Sequence, residues 1–295
     1  MPQIPSCAYG RIGLLGNPSD GYGGRVIAMT YQHQAWVRPA ASPTVQALSL
    51  RDSAITAWEA HTGQAYTGPS LAWGTEIPRQ AGLSGSSALV IATLRALSRW
   101  ASCPLSGLEL ARLAWHVETD HLGITAGPQD RVVQALGGVL DMDFSTNSWH
   151  IEPLPPTALP PLLLSWPRET GAPSGRVHGD LRSRWEADPS VRATVAALAE
   201  LAVRGRARLD ARDPDLRDLF DRSLTLRCQI MDVSPDDQAA AETARNLRVG
   251  AKLAGSGGGV VATSPEPEAL RQLANAWTRQ GRHTLTPGVS TVAGP

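Results

Sequence analysis

The stretch "GLSGSSALV", residues 82–90, sets the tightest limit on what this chain can fold into. Gly82, Ser84, Gly85, Ser86 and Ser87 crowd into six positions, and Ala88 begins a nearly unbroken apolar run. Glycine and serine at this density ordinarily make a flexible linker. A linker does not run straight into the first turn of a buried helix. Glycines let successive N–H groups turn into one concavity, and a helix N-terminus adds unpaired N–H groups and a positive dipole end. Such a turn suits an anion, phosphate above all. The Ser86 and Ser87 hydroxyls can cap the helix or reach a divalent metal. The bland alternative is a serine N-cap after a tight turn. The pattern is not the common P-loop, which needs Gly-Lys followed by Ser or Thr.

A second loop, "KLAGSGGGVV" at 252–261, lies far along the chain, with Gly255, Ser256 and Gly257 at its head. Such glycines let a ligand approach the backbone closely. Lysine and arginine total 27, yet Lys252 is the single lysine. An ammonium is a compact point charge suited to phosphate in such a loop, whereas arginine is a planar fork. Lys252 is therefore a candidate phosphate ligand.

Between these loops the pattern is mixed. Strands are expected at "AYGRIGLLG", "RVIAMT", "VQALSL" and "SLAWGTEIP", and helices at 52–61 (capped by Asp52 or Ser53), 86–100, 106–121 (capped by Ser106) and 128–136, followed by a strand at "GGVLDMD". The proline-rich "PLPPTALPP" near 155 reads as an inter-domain crossing, dividing the chain into 1–155 and 156–295. Beyond it come a strand "LLLSWP", helices near 178–187, 190–210, 214–231 and 235–249, the glycine loop, a strand "VVATS", a helix at 266–280 and a strand near 282–286. Both halves are α+β.

Two further segments carry chemistry. Arg11 interrupts an apolar strand in "GRIGLLGNPSDGYGG", and an inward charge needs a partner. Asp20, in the turn beyond Asn17, can hydrogen-bond a polyol; an ordinary turn aspartate is the bland reading. Asp130 sits early in a short helix within "GITAGPQDRVVQALGG", where the dipole keeps a carboxylate ionised. It is a candidate base toward a substrate hydroxyl.

Taken in order, "GRIGLLGNPSD", "IPRQAGLSGSSALV", "GITAGPQDRVVQALGG" and "AKLAGSGGGVV" resemble the motifs of the GHMP small-molecule kinases, over about residues 8–263. Within that family "GNPSD", "AGPQDRV", "MDF" and "SGRVH" most resemble the glucuronokinase branch. The resemblance implies an S5-like N-terminal half and a ferredoxin-like C-terminal half. It implies ATP phosphates on Gly82, Leu83, Ser84, Gly85, Ser86, Ser87 and Ala88, and Mg²⁺ on Ser86 or Ser87 with Glu118. Asp130 matches the catalytic aspartate, Arg11 its charged partner, and Asp20 the sugar-binding aspartate. The third motif departs from Lys-x-Thr-Gly, with Ala254 in place of the threonine. A uronic acid acceptor also needs a cation, for which Arg25, Arg79, Arg131 and Arg176 are candidates. The implied activity is phosphorylation of the anomeric hydroxyl of a sugar acid such as D-glucuronate. A neutral hexose or heptose phosphate acceptor, and a silent galactokinase-like sugar sensor, are the alternatives.

Composition bounds the partners. Acidic and basic residues are 27 each, so no net charge steers the chain to nucleic acid or a lipid surface. Three scattered cysteines, Cys7, Cys103 and Cys228, read as reduced thiols of a cytoplasmic protein, and the N-terminus does not read as a signal peptide. The longest apolar runs are too short to span a bilayer.

Overall fold

The computed structural model describes residues 5–41, 48–123, 126–168, 177–213 and 215–291. The first sheet is built around an unusually long strand. β1 (Ser6–Leu15) pairs antiparallel with β2 (Arg25–Ala40). The first half of β2, "VIAMT", is apolar without alternation and is buried on both faces, as a strand covered by helices on each side must be. On its other edge β2 carries two partners in turn. After α1 (Leu48–Thr62) comes β3 (Ser70–Thr75), which pairs with the far half of β2. After α2 (Gly85–Trp100), α3 (Gly107–His116) and α4 (Gln129–Leu136) comes β4 (Val139–Asp143), which pairs with the near half and then with β5 (His150–Leu154).

The second sheet begins past the proline-rich crossing with β6 (Leu162–Pro167). Four helices follow, α5 (Val177–Ala187), α6 (Pro189–Asp210), α7 (Arg217–Ile230) and α8 (Pro235–Asn246). Then come β7 (Gly250–Leu253), β8 (Val260–Thr263), α9 (Pro267–Arg279) and β9 (Arg282–Leu285). The spatial order β7-β8-β6-β9, all antiparallel, is that of a ferredoxin-like unit. Helix α6 packs against β1 and β2, and the main apolar cluster runs from Ile12 and Met29 through Leu164, Leu198 and Val261. The two sheets thus meet across one apolar cluster, while the far face of the second sheet packs a cluster of its own, from Leu163 and Val260 to Trp277. Among the described residues no helix is long and apolar enough to cross a membrane.

The structure corrects the reading at three places. Leu48–Leu50 open α1 instead of closing a strand "VQALSL", whose residues 45–47 lie outside the described residues. Asp52 and Ser53 are therefore inside the helix and cap nothing. Ala54, Ala57 and Trp58 share its buried face, and that helical spacing outweighs the β-branched start. The helix read to residue 249 stops at Asn246, where Arg248 turns at φ 56° into β7. The helix read to 121 ends at His116 and continues as a five-residue π turn, Val117–His121, which turns Glu118 inward. Its predicted Ser106 cap is present, with Glu109 completing a capping box.

Candidate active site

One cleft of about 1310 Å³ gathers the glycine turns and most of the predicted residues, a volume roomy enough for two ligands side by side. Arg11 organises it from the middle of β1. Its backbone N–H donates to Leu83 O at 3.1 Å, and its Nη1 to Gly82 O at 3.2 Å and Ala254 O at 2.7 Å. One side chain thereby ties the first strand to both loops. The loops also touch directly: a Cβ on Gly255 would lie 1.8 Å from Gly82 O, and one on Gly82 (φ 63°) 2.8 Å from Gly257 O. Only glycine permits that approach.

The remaining face of Arg11 holds Asp130. Its Nε and Nη2 donate to the two carboxylate oxygens at 2.7 and 2.8 Å. Ser84 Oγ adds a third donor at 2.5 Å. Ser84 reaches it from a left-handed backbone (φ 60°) at the N-cap of α2, a conformation that costs a non-glycine residue free energy. Burial opposes the Asp130 charge, but Arg11, with Arg131 and Ser84, outweighs it and holds the carboxyl down to about 2. Asp130 is ionised at every pH of interest, and a carboxylate of about four acceptor sites still has room for one more hydroxyl.

Ser87 and Glu118 meet beside the turn. Ser87 Oγ lies 3.1 and 3.0 Å from the two Glu118 oxygens, and both residues are buried. Arg131 closes on Glu118 from the other side and anchors on Gly127 O. Of the two serines offered for a metal, Ser87 is the one brought to Glu118; Ser86 is exposed at the cleft mouth.

Asp20 is buried and accepts from the Gln129 backbone N–H at 3.2 Å and Nε2 at 2.7 Å. Gly127 makes room for it, since a Cβ there would lie 2.0 Å from Asp20 Oδ2. Burial, then the Asp130 charge, push the Asp20 carboxyl from an ordinary 3.8 up to about 6. The folded protein therefore keeps this proton where the unfolded chain has lost it. Its contribution to stability is full below pH 3.8 and lost as pH rises through 6. Asp20→Asn removes the titration. Its stability relative to wild type should swing in its favour by about 2–3 kcal/mol between pH 4 and pH 8. Denaturant unfolding at the two pH values checks this; a pH-independent difference contradicts it.

Several predicted residues stand elsewhere. Lys252 does not line the cleft. Its Nζ is buried against Gly13 O (2.8 Å), Leu253 O (2.7 Å) and Asn17 Oδ1 (3.1 Å), so it braces the loop that carries Asn17. Burial, with Arg227 and Arg11 nearby, pushes its ammonium well below the usual lysine range. Ala88 packs in the core, not the cleft wall. Arg25 is bound to Asp141 away from the cleft, because a strand-edge arginine beside a buried aspartate pairs locally. Arg131 is committed to Glu118, Arg79 is exposed at the cleft rim, and Arg176 lies outside the described residues. Asn17, Gly255 and Ser256 do line the cleft. Gly257 is held behind it, next to Gly258, whose N–H donates to Asp237 at 2.7 Å. The sequence reading missed Gln129, which holds Asp20, and Arg227, a buried arginine in the cleft wall. A signal for Arg227 was present: it falls on the apolar stripe of α7 with Phe220, Leu224 and Ile230.

Residues 51–138 match the family model for the GHMP kinases N terminal domain. The "Probable glucuronokinase 2" of Arabidopsis thaliana is 31% identical over 93% of this chain and 88% of its own length. The chain belongs to the GHMP kinases. This GHMP kinase is accordingly a phosphotransferase, and its near-full-length relatives set it among the sugar kinases of the family. "Glucuronokinase 1" of the same plant is 30% identical over 95% of this chain and 90% of its own. In fold, the kinase superposes with a TM-score of 0.79 on the Streptococcus pneumoniae phosphomevalonate kinase solved with phosphomevalonate and AMPPNP, at 16% identity over 98% of this chain and 100% of that one.

Proposed function

We propose that this GHMP kinase transfers the γ-phosphoryl group of ATP to the anomeric hydroxyl of a sugar acid, with D-glucuronate as acceptor. The observation that carries the reading is the convergence, in one cleft, of a glycine-rich turn at a helix N-terminus with two carboxylates of opposite character. Asp130 is kept ionised by Arg11, and Asp20 is desolvated on the acceptor side. The near-full-length similarity to two proteins named glucuronokinases supports the acid.

The nucleotide phosphates would lie on the Gly82–Ser87 turn, with the base toward the apolar end at Leu50, Trp73, Ile77 and Leu89. Among the described residues no three acidic, histidine or cysteine side chains form a metal cage. Mg²⁺ needs none: it takes one or two protein oxygens and fills its shell with phosphate and water. Ser87 and Glu118 fit that demand, and when bound the ion would neutralise charge on the phosphates.

Asn17 and Asp20 would hold the sugar ring and present its hydroxyl to the open acceptor site of Asp130. Phosphoryl transfer through a loose transition state asks mainly for in-line placement and charge balance. A carboxyl held near 2 is a weak base. It therefore orients the hydroxyl and takes its proton late, as the new O–P bond forms and the bond to ADP breaks.

Competition between acceptors tests the reading. A site that pairs a carboxylate leaves a cation unpaired when the ligand lacks one, at about 2–5 kcal/mol. Glucuronate should exceed glucose in kcat/KM by at least roughly 30-fold, since 1.4 kcal/mol is tenfold. Galacturonate should fall between them. Equal rates with glucose and glucuronate would keep the kinase and discard the acid.

A further inference from the structure

Five arginines line the cleft, and three of them are committed within the protein. Arg11 is shared between Asp130 and the two loops, and Arg131 is held by Glu118 and Gly127 O. Arg227 is sealed in the wall at 1% exposure, with Nη2 on Gly255 O at 2.6 Å. Arg79 and Arg182 are exposed, and neither makes a hydrogen bond or an ion pair among the described residues. A guanidinium without such partners keeps its five N–H donors for a ligand, in a planar fork that matches a carboxylate at two points.

The fold gives these two different places. Arg79 stands on the segment that flanks the glycine turns, where Ile77 is the neighbour of Gly85 and a Cβ on Gly258 would lie 2.7 Å from Gln80 O. Arg182 comes from α5, which is fixed by Leu181 in the core and by Arg192 on the Trp185 and Glu186 carbonyls of its last turn. Residues three apart on a helix share a face, and Arg182 and Trp185 both turn to one ring, that of Tyr22. The Arg182 Cζ lies 5.4 Å from the centroid of that ring, and the Trp185 ring 5.1 Å from it. Tyr22 ends the short helical turn Ser19–Tyr22 that carries Asp20. Gly21, between them, faces Gly127, with 3.6 Å from a Cβ to its nitrogen. Arg182 is therefore seated at the Asp20 end of the cleft. A seat on an aromatic face draws on the charge and uses none of the N–H donors.

We infer that Arg182, seated on Tyr22, receives the carboxylate of the acceptor and sets the preference for an acid over a neutral sugar. This inference rests on the sugar-acid reading above and names the residue that enforces it. Binding is a matter of hydrogen bonds and charge, with no covalent step. A neutral sugar in the same place would cover the guanidinium and offer no charge in exchange for the water it displaces.

The test is kcat/KM for glucuronate and for glucose, with KM for ATP and the melting temperature, on wild type, Arg182→Gln, Arg182→Lys and Arg79→Gln. In Arg182→Gln the acid-to-neutral ratio should collapse from roughly 30-fold or more to within about threefold of unity, with the loss falling on the acid and not on the nucleotide. The side chain is exposed, so melting should stay within about 2 °C of wild type. Arg182→Lys keeps the charge over the ring but not the fork, and its ratio should stand between the two, at roughly tenfold. It carries the same test if the glutamine variant does not fold. Arg79→Gln should keep the wild-type ratio. Equal losses on both sugars, a rise confined to KM for ATP, or a ratio erased by Arg79→Gln and kept by Arg182→Gln would overturn the assignment. A wild type without acid preference overturns the sugar-acid reading and this inference together. A wild type that prefers the acid, with Arg182 variants that keep the preference, overturns Arg182 alone.

Discussion

Asp130→Asn is expected to lower turnover by roughly 10²–10⁴-fold while nucleotide binding, followed by calorimetry, holds. The substitution keeps the shape and one acceptor oxygen but removes the charge that three donors converge on. Arg11 Nε and Nη2 and Ser84 Oγ all point at this carboxylate, and an amide nitrogen must now face one of them. The acceptor hydroxyl loses both its orienting partner and the destination of its proton. Arg11 keeps its bonds to Gly82 O and Ala254 O, so the loops stay joined and the phosphate turn is preserved. Turnover within a few-fold of wild type would remove Asp130 from the reaction.

Gly85→Val should weaken nucleotide binding by roughly 100-fold or more without unfolding the protein. Gly85 opens α2 in the cleft wall, and a Cβ there would meet only Ile77, at an ordinary 3.6 Å. The added branched side chain therefore projects into the cleft beside Ile77, on the side given to the nucleotide. The outcome differs from that at Gly255, where any Cβ would be driven into Gly82 O at 1.8 Å and the two loops would separate. Calorimetry with ATP and a melting curve distinguish the cases. A Gly85→Val protein that unfolds would show that the turn is structural, and the cradle would lose its support.

What the sequence made legible follows from range. Local signals were sufficient for α2, where Val90, Leu94 and Leu97 share the buried face, and for α3, where Ser106 caps the first turn. The glycine turns were legible because dense glycine before a buried helix has few other uses. The length of β2 was not: past Tyr31 the segment "QHQAWVRPA" is polar at many positions, and its pairing with β3 is set by tertiary contact. Side-chain positions were legible where the backbone fixes direction, as at the start of α4, which brings Asp130 to the cleft. They were not legible where a long side chain chooses its partner. Lys252 sits beside a glycine loop but points into the core at Gly13 O and Asn17. Arg25 follows the first motif but finds Asp141 across the sheet. The Arg11–Asp130 pair joins residues 119 apart, a distance along the chain that no spacing rule reaches. Arg227, by contrast, was readable as a lone charge on an apolar helical stripe.

The most direct measurement of the central claim is ³¹P and ¹H NMR of the product formed from ATP and D-glucuronate. The account predicts one new phosphate, coupled to the anomeric proton, appearing with stoichiometric ADP. A phosphate on another hydroxyl, or ADP released without a phosphorylated sugar acid, would contradict it.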